Sequence, residues 1–313
     1  MILMTGGNGF IGRSLAAVLE ARGLPFRAVS RNPSPGCISI GDMTRNPDWT
    51  DALRGVDIVI HLAGRAHVLR EEASPEAAFK AVNVEATLSL ARQAAASGVR
   101  RFIFVSSIKA SGGQTRTRNA FFADDVPRPS DAYGRSKLEA ERQLFELGRE
   151  TGMEITVIRP PLVYGPGVPA NFALLLKWAG SGFPSVFGAI NNSRSLVYVG
   201  NLCDLLVRVG EHSQAPGEVF LVSDGVDLST ADLFSKLAKL QNKTPVNLPV
   251  PGAVLSGFLK LAGKAGHAER LLANLEVDIG KTCRLLEWTP PFTCDEGMRL
   301  TVESFSRIPE ARN

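Results

Sequence analysis

Short apolar runs alternate with amphipathic stretches through the first half of the chain. Ile2 to Met4 is an apolar run at the very start, and an amphipathic stretch follows it to Gly23. PFRAVSR (25–31) reads as a second strand and VDIVIHLAG (56–64) as another. A helical pattern then runs from about Pro75 to Ser97, before the strand-like RRFIFVSS (100–107), a helix around Tyr133 and MEITVIRPPLVYG (153–165). Strands that are apolar on both faces and separated by helices predict a parallel sheet covered on both sides, an α/β doubly wound arrangement. From Pro166 onward the pattern loosens. PVNLPVPGAVLSGF (245–258) and EWTPPFTCDEG (287–297) read as loops around a smaller C-terminal lobe. SLVYVGNLCDLLVRVGE (195–211) and GEVFLVSD (217–224) read as strand and helix pieces that rejoin the sheet.

Between the first strand and its helix, Gly6, Gly9 and Gly12 are spaced three apart in TGGNGFIG. Glycines there let the backbone turn tightly and approach a pyrophosphate seated on the free N–H groups of a helix N-terminus. Strand, glycine turn and helix together are the context in which this spacing signals a dinucleotide. The reading is therefore a Rossmann-type domain over 1–165, with 195–225 rejoining it, and a substrate-binding lobe from 166–194 and 226–313.

The run DAYGRSKLEAE places Tyr133 and Lys137 one helical turn apart, on one face. Upstream, the strand-like FIFV ends in Ser106-Ser107. A hydroxyl, a phenol and an ammonium suit proton transfer at an alcohol or ketone, the lysine's charge favouring the phenolate.

Composition narrows the classes. The 313 residues are 44% hydrophobic, enough for a large core, and the net charge of +4 forms no dense basic stripe for nucleic acid. Cys37, Cys203, Cys283 and Cys294 are scattered, without paired metal-ligand spacing, which fits a reduced cytoplasmic enzyme and predicts no metal. No apolar run is long enough to cross a bilayer, and a first strand starting at Ile2 leaves no room for a targeting peptide. No membrane partner is expected, and a homodimer stays open.

Taken in order, TGGNGFIG, GDM (41–43), HLAG (61–64), VSS (105–107), YGRSK (133–137), RPPLVYGPG (159–167) and RSLVYV (194–199) resemble the extended short-chain dehydrogenase/reductase superfamily. Within it they are most similar to the NAD-dependent epimerase/dehydratase enzymes of nucleotide sugars. SSIKASG, RPPLVYGPGVPANF and NNSRSLVYVGNL look like the bacterial O-antigen branch, with its UDP-glucose 4-epimerase-like proteins and UDP-4-keto-6-deoxy-N-acetylhexosamine 4-reductases. The resemblance implies a pyrophosphate on Gly6, Gly9 and Gly12 with Phe10 and Ile11 packed below it. It implies Asp42 and Met43 beside the adenine, and Ala63 and Gly64 on the path to the nicotinamide ribose. Lys137 would bind that ribose and keep Tyr133 acidic, while Ser107 would hold the reacting oxygen. Asn171, Arg194 and, more remotely, Arg270 would meet a UDP-sugar. His61 and Asn83 have plainer roles, as a structural histidine and a partner for buried backbone.

Two details steer the chemistry. The second strand ends Val29-Ser30-Arg31-Asn32, with no carboxylate for a ribose 2′-hydroxyl, so Arg31 and Ser30 favour the 2′-phosphate of NADP(H). The alternative is that Arg31 stacks on adenine and NAD(H) binds as well. Ser107 is followed by Ile108-Lys109 rather than by an acidic pair, which argues against elimination. The favoured reading is NADPH-dependent reduction of a UDP-4-keto-6-deoxy-HexNAc. A NAD-dependent UDP-sugar 4-epimerase is the alternative, and a non-catalytic dinucleotide sensor the second alternative.

Overall fold

The computed structural model describes residues 1–66, 74–115, 119–261 and 271–307. The chain opens with β1 (Ile2–Thr5), α1 (Phe10–Ala21), β2 (Phe26–Ser30), β3 (Cys37–Ser39), α2 (Thr50–Leu53) and β4 (Ile58–His61). It continues with α3 (Pro75–Lys80), α4 (Ala86–Ala96), β5 (Arg101–Val105), α5 (Ala132–Thr151), β6 (Glu154–Arg159) and β7 (Leu162–Tyr164). The remainder is α6 (Ala170–Ser181), β8 (Arg194–Tyr198), α7 (Val199–Glu211), β9 (Val219–Leu221) and β10 (Asp227–Leu228), then α8 (Thr230–Leu240), α9 (Gly252–Leu261), α10 (Gly280–Leu286) and α11 (Cys294–Ser306).

Seven strands form one parallel sheet in the order β3-β2-β1-β4-β5-β6-β9. Every residue of β1, β4 and β5 is buried, as a sheet covered on both faces requires. Alternate side chains go to opposite sides. Leu3, Val59, Phe102, Phe104 and Val157 enter a core with Leu88, Ala91 and Leu144 of α4 and α5. Met4, Ile60, Ile103, Val105 and Ile158 enter the other, with Leu15 and Leu19 of α1 and Leu202 and Leu206 of α7. The doubly wound Rossmann-type fold is thus present. Strand order reverses between β1 and β4, the place where such sheets open a crevice for ligands.

The second core does not stop at the sheet. It runs on through Tyr164, Phe172, Phe187, Phe234, Trp288 and Met298, so the smaller part shares apolar packing with the larger. A three-stranded sheet, β10-β8-β7, lies in that smaller part. From the segment expected to rejoin the large sheet, β9 does so beside β6, whereas β8 pairs with β7 and β10.

Two stretches read as loops are helical in part. Gly252–Leu261 follows Pro251 directly, and Val254 N–H donates to the Pro251 carbonyl at 3.0 Å, so the proline cluster opens a helix. Thr293 caps α11 in a reciprocal box with Glu296: the Glu296 carboxylate accepts from Thr293 N–H at 2.8 Å. Pro290 and Pro291 masked that T-x-x-E signal in the sequence. The helix expected over 75–97 contains one π-helical turn at Ala81–Glu85, a local widening common near functional sites.

Candidate active site

The glycine turn closes on itself at the end of β1. Gly6 has φ +70°, and Gly9 N–H donates to its carbonyl at 2.9 Å. A Cβ on Gly12 would stand 2.2 Å from the Gly6 oxygen, so only glycine lets α1 sit against the turn. No side chain caps α1, whose first N–H groups are left for an anion. Phe10 and Ile11 are half-buried against the core behind them. Across the crevice, a Cβ on Gly6 would meet Ala63 N at 3.1 Å, and one on Gly64 would meet Lys137 Nζ at 3.2 Å. A cradle in which added Cβ atoms collide, leading from the helix end to Lys137, fits a dinucleotide.

Two threonines and a histidine tie the strand ends at this crevice. His61 is fully buried, with Nδ1 2.8 Å from Thr5 Oγ1 and Nε2 3.0 Å from Thr87 Oγ1. Burial first, and the charge of Lys137 second, bring its pKa down to about 3, so it is neutral and structural. Asn83, on the π-helical turn, accepts from Arg65 N–H at 2.8 Å and donates to Arg65 O and to Ser136 Oγ, both at 3.0 Å. It fastens the segment after Gly64 to the helix that carries Tyr133.

That helix, α5, is capped by Asp131, whose carboxylate accepts from Gly134 N–H at 2.7 Å. A Cβ on Gly134 would lie 2.3 Å from the Lys109 carbonyl, so the glycine lets α5 press onto the turn after β5. Ser107 caps that turn and its hydroxyl hydrogen-bonds with Tyr133. Phe79 packs on the Tyr133 ring, with centroids 5.7 Å apart. Burial pushes the phenol up to about 12; the Ser107 bond opposes this and the Asp131 charge adds to it.

Lys137 is buried against the end of β5. Its ammonium donates to the Val105 carbonyl at 3.0 Å and sits 4.5 Å from the Phe104 ring centroid. Burial lowers it to about 8, with Glu141 pulling the other way. For Tyr133 itself, desolvation is the largest influence, and it raises the phenol.

The flanking candidates sit apart from this centre. Arg31 is exposed at the end of β2. Asp42 accepts from Thr44 N–H at 3.0 Å and Thr44 Oγ1 at 2.8 Å, and these bonds, with Arg45 and Arg31 nearby, hold it below the usual carboxylate range. It caps a short 3-10 turn, and Met43 packs on the core beneath. Asn171 is exposed in the first turn of α6, next to Ala170 at φ +57°. Arg194, half-buried, donates to the Ala273 carbonyl at 2.8 Å. Arg270 lies outside the described residues. The structure therefore joins Ser107, Tyr133, Lys137, Gly64, Ala63 and the glycine turn, but leaves Asn171 and Arg194 in the smaller part.

Sequence reasoning missed a buried ion pair behind the catalytic turn. Arg159 Nε donates to both oxygens of Glu141, at 3.0 and 3.2 Å, and its Nη1 donates to Ser111 Oγ at 3.1 Å. Ser106 Oγ also donates to Glu141. Both charged side chains are almost wholly buried. The signal was the arginine that ends the strand EITVIR, 18 residues after its helix-borne partner and in no obvious register with it.

The chain is similar to known proteins along nearly its whole length. The chain is 43% identical over 311 residues to a UDP-glucose 4-epimerase of Vibrio cholerae, covering 97% of this chain and 95% of that one. It is 27% identical to an N-acetyl-α-D-glucosaminyl-diphospho-ditrans,octacis-undecaprenol 4-epimerase of Escherichia coli O157:H7, covering 96% and 94%. The crystal structure of the Thermotoga maritima UDP-glucose 4-epimerase with UDP-glucose superposes with a TM-score of 0.77 at 26% identity, over 97% of this chain and 98% of that one. Residues 2–223 match the NAD dependent epimerase/dehydratase family, and the chain belongs to it.

Proposed function

We propose that the protein is a NAD-dependent 4-epimerase of a UDP-linked hexose or N-acetylhexose. The similarity to the Vibrio cholerae UDP-glucose 4-epimerase along nearly the whole of both chains carries this reading. It reverses the preference drawn from Arg31 and the resemblance to the O-antigen branch, which had favoured a ketoreductase.

The bound dinucleotide supplies the hydride acceptor and donor. The chain's own residues do the rest. Gly6, Gly9 and Gly12 seat the pyrophosphate, and Lys137 binds the ribose. Ser107 holds the C4 oxygen while Tyr133 takes its proton in one half of the reaction and returns it in the other. The phenol's hydrogen bond to Ser107 works in the withdrawing direction. Asn171 and Arg194 meet the nucleotide sugar, and no acidic residue stands beside Ser107 to drive elimination.

A second reading, reduction of a 4-keto sugar by NADPH, is favoured by the exposed Arg31 after β2 and by a phenol that stays protonated at neutral pH. One pair of assays separates the two. Epimerisation predicts interconversion of UDP-glucose and UDP-galactose, or of their N-acetyl forms, with no added cofactor consumed. Stoichiometric NADPH consumption on a UDP-4-keto-6-deoxy-N-acetylhexosamine, with no such interconversion, would overturn it in favour of the reductase.

A further inference from the structure

Helix α9 turns an apolar stripe to solvent. Val254, Phe258 and Leu261 are 59%, 69% and 91% exposed, at the i, i+4, i+7 spacing of one helix face. Leu255, about a quarter turn round the helix, packs against the core, and Gly252 sits close to Ile190. The segment leading into α9 repeats the pattern. Asn247 turns inward to Ser185 and Ser235, leaving Val246 and Leu248 exposed on either side of it. Ser185 N–H donates to the Val246 carbonyl at 2.8 Å, which brings the exposed Phe183 close to this segment.

Among the described residues, the two stretches that carry these apolar side chains hold no acid. Neither Ala170 to Arg194 nor Lys239 to Leu261 contains an aspartate or glutamate, although the chain has 31 of them. Lys177, Lys239 and Lys243 are exposed there, and Lys243 lies beside Gly182, next to Phe183.

We infer that the α9 face docks on an anionic lipid bilayer surface. An exposed apolar helix face with lysines on the neighbouring segments suits a helix lying in the headgroup plane: the apolar residues insert and the lysines meet lipid phosphates. Contiguous apolar surface of this kind is uncommon on a protein that stays in bulk water. A second copy is a poorer occupant, since a self-complementary contact would set lysines against lysines. Among the described residues no helix is long and apolar enough to cross a membrane, and surface docking needs none. Surface docking departs from the sequence expectation of no membrane partner, which rested on the lack of an apolar run long enough to cross.

The test is independent of the reaction. Full-length protein is sedimented with vesicles of phosphatidylglycerol and phosphatidylethanolamine, and with phosphatidylcholine vesicles as the uncharged control. Binding is expected to the anionic vesicles only and to fall with salt. The double variant Phe258→Ser/Leu261→Ser should bind about tenfold more weakly or worse. Lys177→Gln/Lys239→Gln/Lys243→Gln should lose about a hundredfold at low salt. Circular dichroism checks that both variants fold, and both should keep wild-type turnover of a soluble nucleotide sugar. No binding to anionic vesicles at low salt, or equal binding by wild type and variants, overturns the inference. So does a wild-type dimer that Phe258→Ser/Leu261→Ser dissociates in sedimentation velocity, because a second copy then covers the face.

Discussion

Two ion pairs bracket the catalytic helix, and they differ in all but formal charge. Arg159–Glu141 lies behind the turn after β5, with side chains 4% and 2% exposed, and Ser106 and Ser111 complete its hydrogen bonds. Lys109–Asp131 lies in front of it, with side chains 31% and 40% exposed. Taking charges out of water costs several kcal/mol per ion, so a buried pair persists only when fully satisfied, and removing one member strands the other. A pair open to water loses little when broken. The buried pair reaches the serine next to Ser107, and its Glu141 stands one turn from Lys137. The exposed pair steadies the cap of α5, and its Asp131 adds a weaker upward push on the Tyr133 phenol. Scaffold and chemistry are thereby separable around one helix.

The largest effect should come from the chemistry and leave both pairs alone. Tyr133→Phe keeps the ring against Phe79 and deletes the proton donor, so turnover should fall about 10²–10⁴-fold with an unchanged melting temperature. Near wild-type turnover on every accepted nucleotide sugar would remove Tyr133 from its role. Next, Arg159→Met leaves Glu141 buried without its partner and should cost about 3–5 kcal/mol in denaturant unfolding. The double variant Arg159→Met/Glu141→Leu should cost less than that single change, since no stranded charge remains. A double variant as unstable as the sum of both singles would mean the pair is not the coupled unit drawn above.

A smaller effect is set by pH. Lys137 titrates at about 8 in the folded protein and near the ordinary lysine value, 10.5, when unfolded. Across that window the unfolded chain binds more protons, so the contribution of Lys137 to stability rises with pH, and below it the burial penalty is present in full. Denaturation midpoints of wild type minus Lys137→Met should therefore climb between about pH 8 and 10.5. A flat difference would place the lysine in water. Smallest of all, Lys109→Gln should change stability by about 0–1 kcal/mol, checked by the same unfolding curves. A loss as large as that of Arg159→Met would erase the contrast between the two pairs.

What was legible in the chain is what depends on neighbours in sequence. The apolar runs at β1, β4, β5 and β6, the glycine spacing, and the one-turn separation of Tyr133 and Lys137 are local, and periodicity alone carries them. The parallel sheet followed from that alternation, though its edge strand β3 did not. Tertiary structure decided where charges went. Arg101 reads as the first residue of a strand, yet it is buried and donates to the carbonyls of Gly210 and His212 at 3.0 and 2.9 Å, closing the end of α7 from a distant part of the chain. Arg159 finds Glu141, and Lys137 turns to Val105, only once β5, β6 and α5 are assembled. The sign of the Tyr133 shift depended on that assembly as well. A sequence shows that a cation is one turn away, but desolvation is a property of everything packed around the phenol, and here it is the largest influence on it.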